Sequence, residues 1–252
     1  MSKVWLILRK ELREIFQQRP LIYSLCIVPL IIVVLAGIVL YSTHTSMLKP
    51  PPNAQITTTT AIKTAQVSVG NLFRMYFLIE PLFIPAMIAA YSIVGEKNSR
   101  TLEPLLATPL ETWQLLMAKS LSAMIPDILV TWISTALFIA ELAVFTVHGV
   151  IGQVITPGYL VLLLLTAPLL TLTPVAVTVM ASSRFNEPRA AAQISSVIFV
   201  VLVLILSRVN LGQMISPLSS FIASIIIAAI GIVLFWIATG IFQREAILTR
   251  WK

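Results

Sequence analysis

The sequence predicts an all-α integral membrane protein with six transmembrane helices and both termini cytoplasmic. Three observations predict it. Charged residues make up 11% of the 252 positions and hydrophobic residues 58%, whereas a soluble domain of this size carries about 25% charged residues. Mean hydropathy is +0.96. Apolar runs recur at the length a bilayer core demands, about 20 residues rising ~1.5 Å each.

The first 19 residues read as an interface helix. At about 100° per residue, Val4, Trp5, Leu8, Leu12, Ile15 and Phe16 share one stripe, while Lys10, Arg13, Glu14 and Gln17 face away. A basic face opposite Trp, Phe and Leu suits the headgroup layer. The segment is either a plain topogenic anchor or a helix that also touches a cytoplasmic partner. Pro20 separates it from the first apolar run.

The runs fall at 21–41, 75–94, 120–147, 159–182, 190–207 and 218–242. The first is too long for a signal-peptide core, and no small-residue cleavage pattern follows it. The third is long enough to tilt. The fifth is the shortest, extended by its neighbours or partly re-entrant. Cys26, the single cysteine, reads as a small core residue and excludes an internal disulfide. Most of the 17 lysines and arginines flank the runs on the side that holds the N-terminus, with Lys49, Lys63, Arg74 and Arg208 on the other. That asymmetry requires an even number of spans with both ends inside. The basic residues form no aromatic-interleaved groove, which argues against nucleic acid.

The outer segment 42–71 carries Pro50-Pro51-Pro52 and four consecutive threonines, Thr57 to Thr60. It is expected to be a short excursion, compatible with helix near 61–69. The later outer loops are short, and the chain reads as a single transmembrane domain over 1–252 with no large soluble part.

The largest inner loop, 95–119, reads GEKNSRTLEPLLATPLETWQLLMAK. Thr108-Pro109-Leu110-Glu111 has the form of a capping box with proline at the first helical position, so a helix is expected from Pro109 into the third span. Thr101 to Ala107 is a second, shorter helix candidate. Leu102, Leu105 and Leu106 form an apolar knob rimmed by Glu96, Lys97, Arg100 and Glu103. The plain alternative is an inner loop whose leucines dip into the interface. The second inner loop, 183–189, is either a second partner contact or a basic turn.

No chemistry-bearing motif is present. The chain lacks a P-loop, a His-Glu-x-x-His and a Gly-x-Ser-x-Gly. Its two histidines, His44 and His148, fall at outer span ends. Three acids lie inside spans: Glu80, Asp127 and Glu141. No basic residue inside a span is expected to pair with them. A charge at mid-bilayer costs about 2.5–3.5 kcal/mol on insertion scales, so such acids are candidates for a substrate pathway; protonated or locally bonded structural acids are the alternative. Glu80 and Asp127 each adjoin a proline, where backbone carbonyls are freed. Glu80 and Glu141 are expected in the outer half, and Asp127 about two turns in from the cytoplasm.

The inner loop resembles the hallmark loop of type-2 ABC transporter permeases. The matching positions are Glu96, Thr101, Leu102, Glu103, Leu105, Leu106, Thr108, Pro109 and Lys119, and the Arg9 to Leu12 start and six-run outline agree as well. The resemblance implies a permease subunit of an ATP-driven exporter in the inner (plasma) membrane. Two copies, or this chain and a paralogue, would form the pathway. Two separate P-loop ATPase subunits, carrying ATP and Mg, would receive the short helix around 101–107. Arg100 belongs to the same coupling segment. No cofactor is expected in this chain. The competing reading is an autonomous ion-coupled carrier or channel, which leaves the loop motif unexplained.

Overall fold

The computed structural model describes residues 3–48, 57–99, 111–182, 185, 187–193, 195, 203–204 and 216–241. Among these residues every regular element is helical. Helix α1 (Lys3–Gln17) ends in a break at Gln18, and α2 (Arg19–Leu48) follows as the first span. Pro20 lies in the first turn of α2, where its missing N–H costs nothing. Helix α3 (Thr57–Ile79) leads through a single 3₁₀ turn (Glu80–Leu82) into α4 (Ile84–Asn98). The third span is α5 (Thr112–Phe145). Two short helices, α6 (Ile151–Val154) and α7 (Pro157–Val161), a π turn (Leu162–Thr166) and α8 (Ala167–Ser182) follow, and the last described span is α9 (Pro217–Ile241).

Five stretches of the described residues are long and apolar enough to cross a membrane: Leu21–Thr45, Thr60–Asn98, Trp113–Phe145, Pro157–Ser182 and Pro217–Ile241. The run at 190–207 lies mostly outside the described residues. The second span differs most from expectation. It begins some fifteen residues earlier than the apolar run at 75–94, because the threonine-rich segment is helical from Thr57. Hydropathy undercounts it, since Gln66 and Arg74 are polar yet buried.

Core packing is layered along the bundle. At the end holding the N-terminus, Ile7 and Ile15 of α1 meet Ile93 of α4, Leu115 and Leu116 of α5 and Val179 of α8. In the middle, Leu78 and Leu82 meet Leu162, Leu170 and Ile227. At the other end, Val33 and Leu40 of α2 pack on Phe77, Phe138 and Leu142, with Phe77 and Phe138 ring centroids 5.1 Å apart. Outward-facing Leu30, Ile31 and Val34 of α2 and Ile225, Ile232 and Trp236 of α9 are exposed. These are the faces a bilayer covers. Cys26 is among the exposed positions rather than in the core.

Small polar residues stitch the helices together, as expected where lipid offers no hydrophobic drive. Thr166 and Ser224 hydroxyls are 2.6 Å apart. Thr178 and Ser195 are 2.7 Å apart. The π turn leaves the Leu163 carbonyl short of a helical donor, and Trp132 Nε1 donates to it at 3.4 Å. The outer loop is tied to α3 in the same way. Gln66 donates to the Phe145 carbonyl at 3.2 Å and accepts from the Val147 amide at 3.0 Å, closing the end of α5.

A buried charge junction at the end holding the N-terminus

The helix entering the third span starts three residues later than the motif suggests. Glu111 is its N-cap, with extended backbone (φ −77°, ψ 144°). A continuous helix from Pro109 is therefore ruled out at Glu111. The Glu111 amide donates to Gln114 Oε1 at 3.4 Å. Threonine-proline is a common helix start, but here Glu111 and Gln114 supply the competing cap. Of the predicted coupling positions, Arg100, Thr101, Leu102, Glu103, Leu105, Leu106, Thr108 and Pro109 lie outside the described residues. Glu96 is described, and so are the two stems that carry the loop.

Lys119, on the α5 stem, is almost fully buried, with 1% of its side chain exposed. An ammonium has three donors; this one makes two hydrogen bonds and a further ion pair. Lys119 Nζ lies 2.9 Å from Glu11 Oε1 of α1, 2.6 Å from Ser92 Oγ of α4 and 2.8 Å from Glu96 Oε2 at the end of α4. Ser92 in turn donates to Glu11 Oε2 at 2.8 Å. Lys10 closes the ring from outside, 3.0 Å from Glu96 Oε1 and 3.2 Å from Glu14.

Glu11, Glu14 and Glu96 bring carboxylate oxygens within 4.8 Å of one another, a spacing suited to a metal ion. Lys119 and Lys10 already supply the positive charge that this cluster demands. Burial alone would push the Glu11 carboxyl up. The Lys119 ammonium, the hydrogen bonds from Lys119 and Ser92, and Lys10 outweigh it and hold Glu11 below the ordinary carboxylate value. Burial likewise disfavours the Lys10 ammonium, but Glu96, Glu11 and Glu14 raise it above an ordinary lysine.

This junction corrects the expected face of α1. The buried line runs through Ile7, Leu8, Glu11 and Ile15, while Trp5 and Phe16 are exposed. The expected stripe is rotated toward the two aromatics because a buried glutamate does not count as core in a hydropathy pattern. Lys10, expected to face away, reaches sideways to Glu96.

The three acids inside spans separate into a pair and a single. Asp127 is wholly buried and Glu80 nearly so. The 3₁₀ turn carrying Glu80 packs against α5, the helix that carries Asp127. All four of their oxygens lack a hydrogen-bond partner among the described residues. Glu141 lies two heptads along α5 from Asp127, about 21 Å at ~1.5 Å per residue. It sits instead against Gly37 of α2, where an added methyl would meet its Oε1 at 2.7 Å.

Arg74, expected in the outer loop, belongs to the second span and is buried. Its guanidinium donates to the Val154 carbonyl at 2.8 Å and lies 5.6 Å from the centre of the Tyr159 ring. His148 is exposed and His44 half-buried.

A sequence profile of the ABC-2 family of transporter proteins matches residues 5–220. No curated protein is similar enough to match.

Proposed function

The chain belongs to the ABC-2 family of transporter proteins and is a multi-pass membrane permease subunit of an ABC transporter; from that premise we propose that it works as half of an ATP-driven exporter. A second permease copy or a paralogue completes the pathway. Two P-loop ATPase subunits dock beneath, receive residues 100–109, and hydrolyse ATP with Mg.

The observation that carries this reading is Lys119. Within 3 Å it joins the stem entering the inner loop (Glu96), the stem leaving it (Lys119 itself) and the interface helix (Glu11). Force applied to the loop by a closing partner therefore acts on three helices together. Packed elements with two discrete arrangements transmit such displacements. The unpartnered pair Glu80 and Asp127, farther along the bundle, supports a polar lining for the pathway, and Glu141 a separate position on it.

The test is affinity purification of the tagged full chain from its native membrane in mild detergent. A P-loop ATPase is expected to accompany the wild-type chain at about 1:1. Leu102→Asp and Leu105→Asp should each insert normally but purify without it. Wild-type ATPase recovery in both variants sinks the coupling role of 100–109. Cargo movement by the purified chain alone in vesicles, without ATP, would establish the autonomous carrier instead.

A further inference from the structure

The break between α1 and α2 opens beside a cavity of about 570 Å³. Part of its lining is polar and basic: Gln17, Gln18, Arg19 and Arg189. The rest is apolar or amphipathic: Leu21, Met87 and Tyr91. Among the described residues no carboxylate lines it, and neither arginine has an ion pair or hydrogen bond there. This contrasts with the junction around Lys119, where every cation is matched by an acid.

The position limits what can fill the cavity. Arg19 is the first residue of α2 and stands at the elbow where α1 ends. Arg189 comes from the 188–193 helix, next to the second inner loop. Leu21 and Met87 belong to the first and second spans. The cavity therefore has a basic side next to the inner loops and an apolar side formed by residues of two spans. A small soluble anion would satisfy only the first. An amphiphile with a phosphate head satisfies both, and basic pockets between spans on the cytoplasmic side are suited to anionic lipid heads.

We propose that this cavity is a binding site for the phosphate head of an anionic phospholipid, held by Arg19 and Arg189 with the glycerol end against Tyr91 and Met87. The site is distinct from the coupling loop and from the acids inside the spans. It requires no ATPase. A lipid bound there would wedge the elbow between interface helix and first span, fixing their relative angle.

The experiment uses the full chain, delipidated in detergent and titrated with dioctanoyl phosphatidylglycerol, dioctanoyl phosphatidylcholine and inorganic phosphate by microscale thermophoresis. Saturable binding of phosphatidylglycerol is expected. Each basic residue near an anionic head contributes a similar increment, so Arg19→Gln with Arg189→Gln should weaken it about 30-fold. Arg19→Lys with Arg189→Lys keeps the charge and should stay within about threefold. Phosphatidylcholine should bind at least about tenfold more weakly than phosphatidylglycerol in the wild-type chain, a comparison independent of whether any variant folds. Equal binding of the two lipids overturns the proposal, and so does unchanged phosphatidylglycerol binding in the glutamine pair. Inorganic phosphate competing at equal concentration would make this a free-anion site and overturn the lipid assignment.

Discussion

Lys119 Nζ and Glu96 Oε2 lie 2.8 Å apart, and the chain between them includes the whole loop that joins the second and third spans. The two residues close that loop as a clasp. Glu11 makes the clasp three-sided by drawing the interface helix into it. Taking these ions out of water costs several kcal/mol each, and only complete pairing offsets the cost. The arrangement is therefore intolerant of losing any one member.

Lys119→Met should lower stability by about 3–5 kcal/mol, because it leaves the buried Glu11 carboxylate with only Lys10, 3.7 Å away, and takes one of two cations from Glu96. Combining it with Glu11→Gln and Glu96→Gln should recover most of that loss, since no uncompensated charge remains. Thermal unfolding of the purified chain in detergent reads both effects. A triple variant no more stable than Lys119→Met would show that the lysine acts by packing rather than by charge.

The acid side of the stability profile follows from Glu11. Its carboxyl is held below the ordinary 4.5 in the folded chain. The unfolded state then binds the proton first as pH falls, so the stabilisation is complete above about 4.5 and is lost below it. Lys10 works in the opposite sense. Raised above 10.5, it contributes fully below that pH and loses its contribution as pH rises past it. Melting temperature against pH should show a plateau between these limits. Glu11→Gln should flatten the acid limb, and an unaltered limb would assign it to other carboxylates.

Two glycines at close helix approaches should respond differently to alanine. At Gly70 an added methyl would lie 2.6 Å from Val154 Cγ2. Val154 is fully buried, and Arg74 holds its carbonyl, so it cannot yield. Gly70→Ala should cost about 1–3 kcal/mol through overpacking. At Gly37 the obstacle is the tip of a flexible side chain, Glu141. Gly37→Ala should cost less and be relieved by Glu141→Ala. Equal, unrelieved losses at both sites would mean that the α2–α5 packing is as rigid as the α3–α6 packing.

Glu80→Gln and Asp127→Asn should each leave the melting temperature unchanged or raise it. Neither carboxylate has a hydrogen-bond partner among the described residues, and an amide is cheaper to bury than a charge. Transport in vesicles reconstituted with the ATPase should fall in both. Marked destabilisation without a transport defect would return the pair to a structural role.

The spans are legible in the sequence because hydropathy is a local property, summed over about 20 neighbours. The register of α1 is not, because its decisive contact joins residues 108 positions apart. Glu11 looks like any acid on an amphipathic helix until Lys119 is found buried beside it. A signal is nonetheless present. Lys119 stands between Ala118 and Ser120, inside the third span, and a lysine there needs acids from elsewhere. Arg74 misleads in the converse way. Its charge argues for the loop before the second span, but the Val154 carbonyl, from the segment after the third span, receives it inside the bundle. Glu111 is hard to place because two overlapping caps compete three residues apart, and only the backbone angle at Glu111 decides between them.

The 3₁₀ turn at Glu80–Leu82 divides the second span into an upper and a lower limb. Pro81 and Pro85 remove two donors at that level, so fewer hydrogen bonds cross it than cross any other turn of the same rod. The upper limb is moored to the outer loop through Gln66 and Arg74. The lower limb is moored to the interface helix and the third span through Ser92 and Glu96. Each limb thus answers to a different side of the membrane, and the joint between them is where Glu80 sits. A rotation begun at the end holding the N-terminus would turn the lower limb first, and the acid at the joint is the group through which it would reach the upper limb.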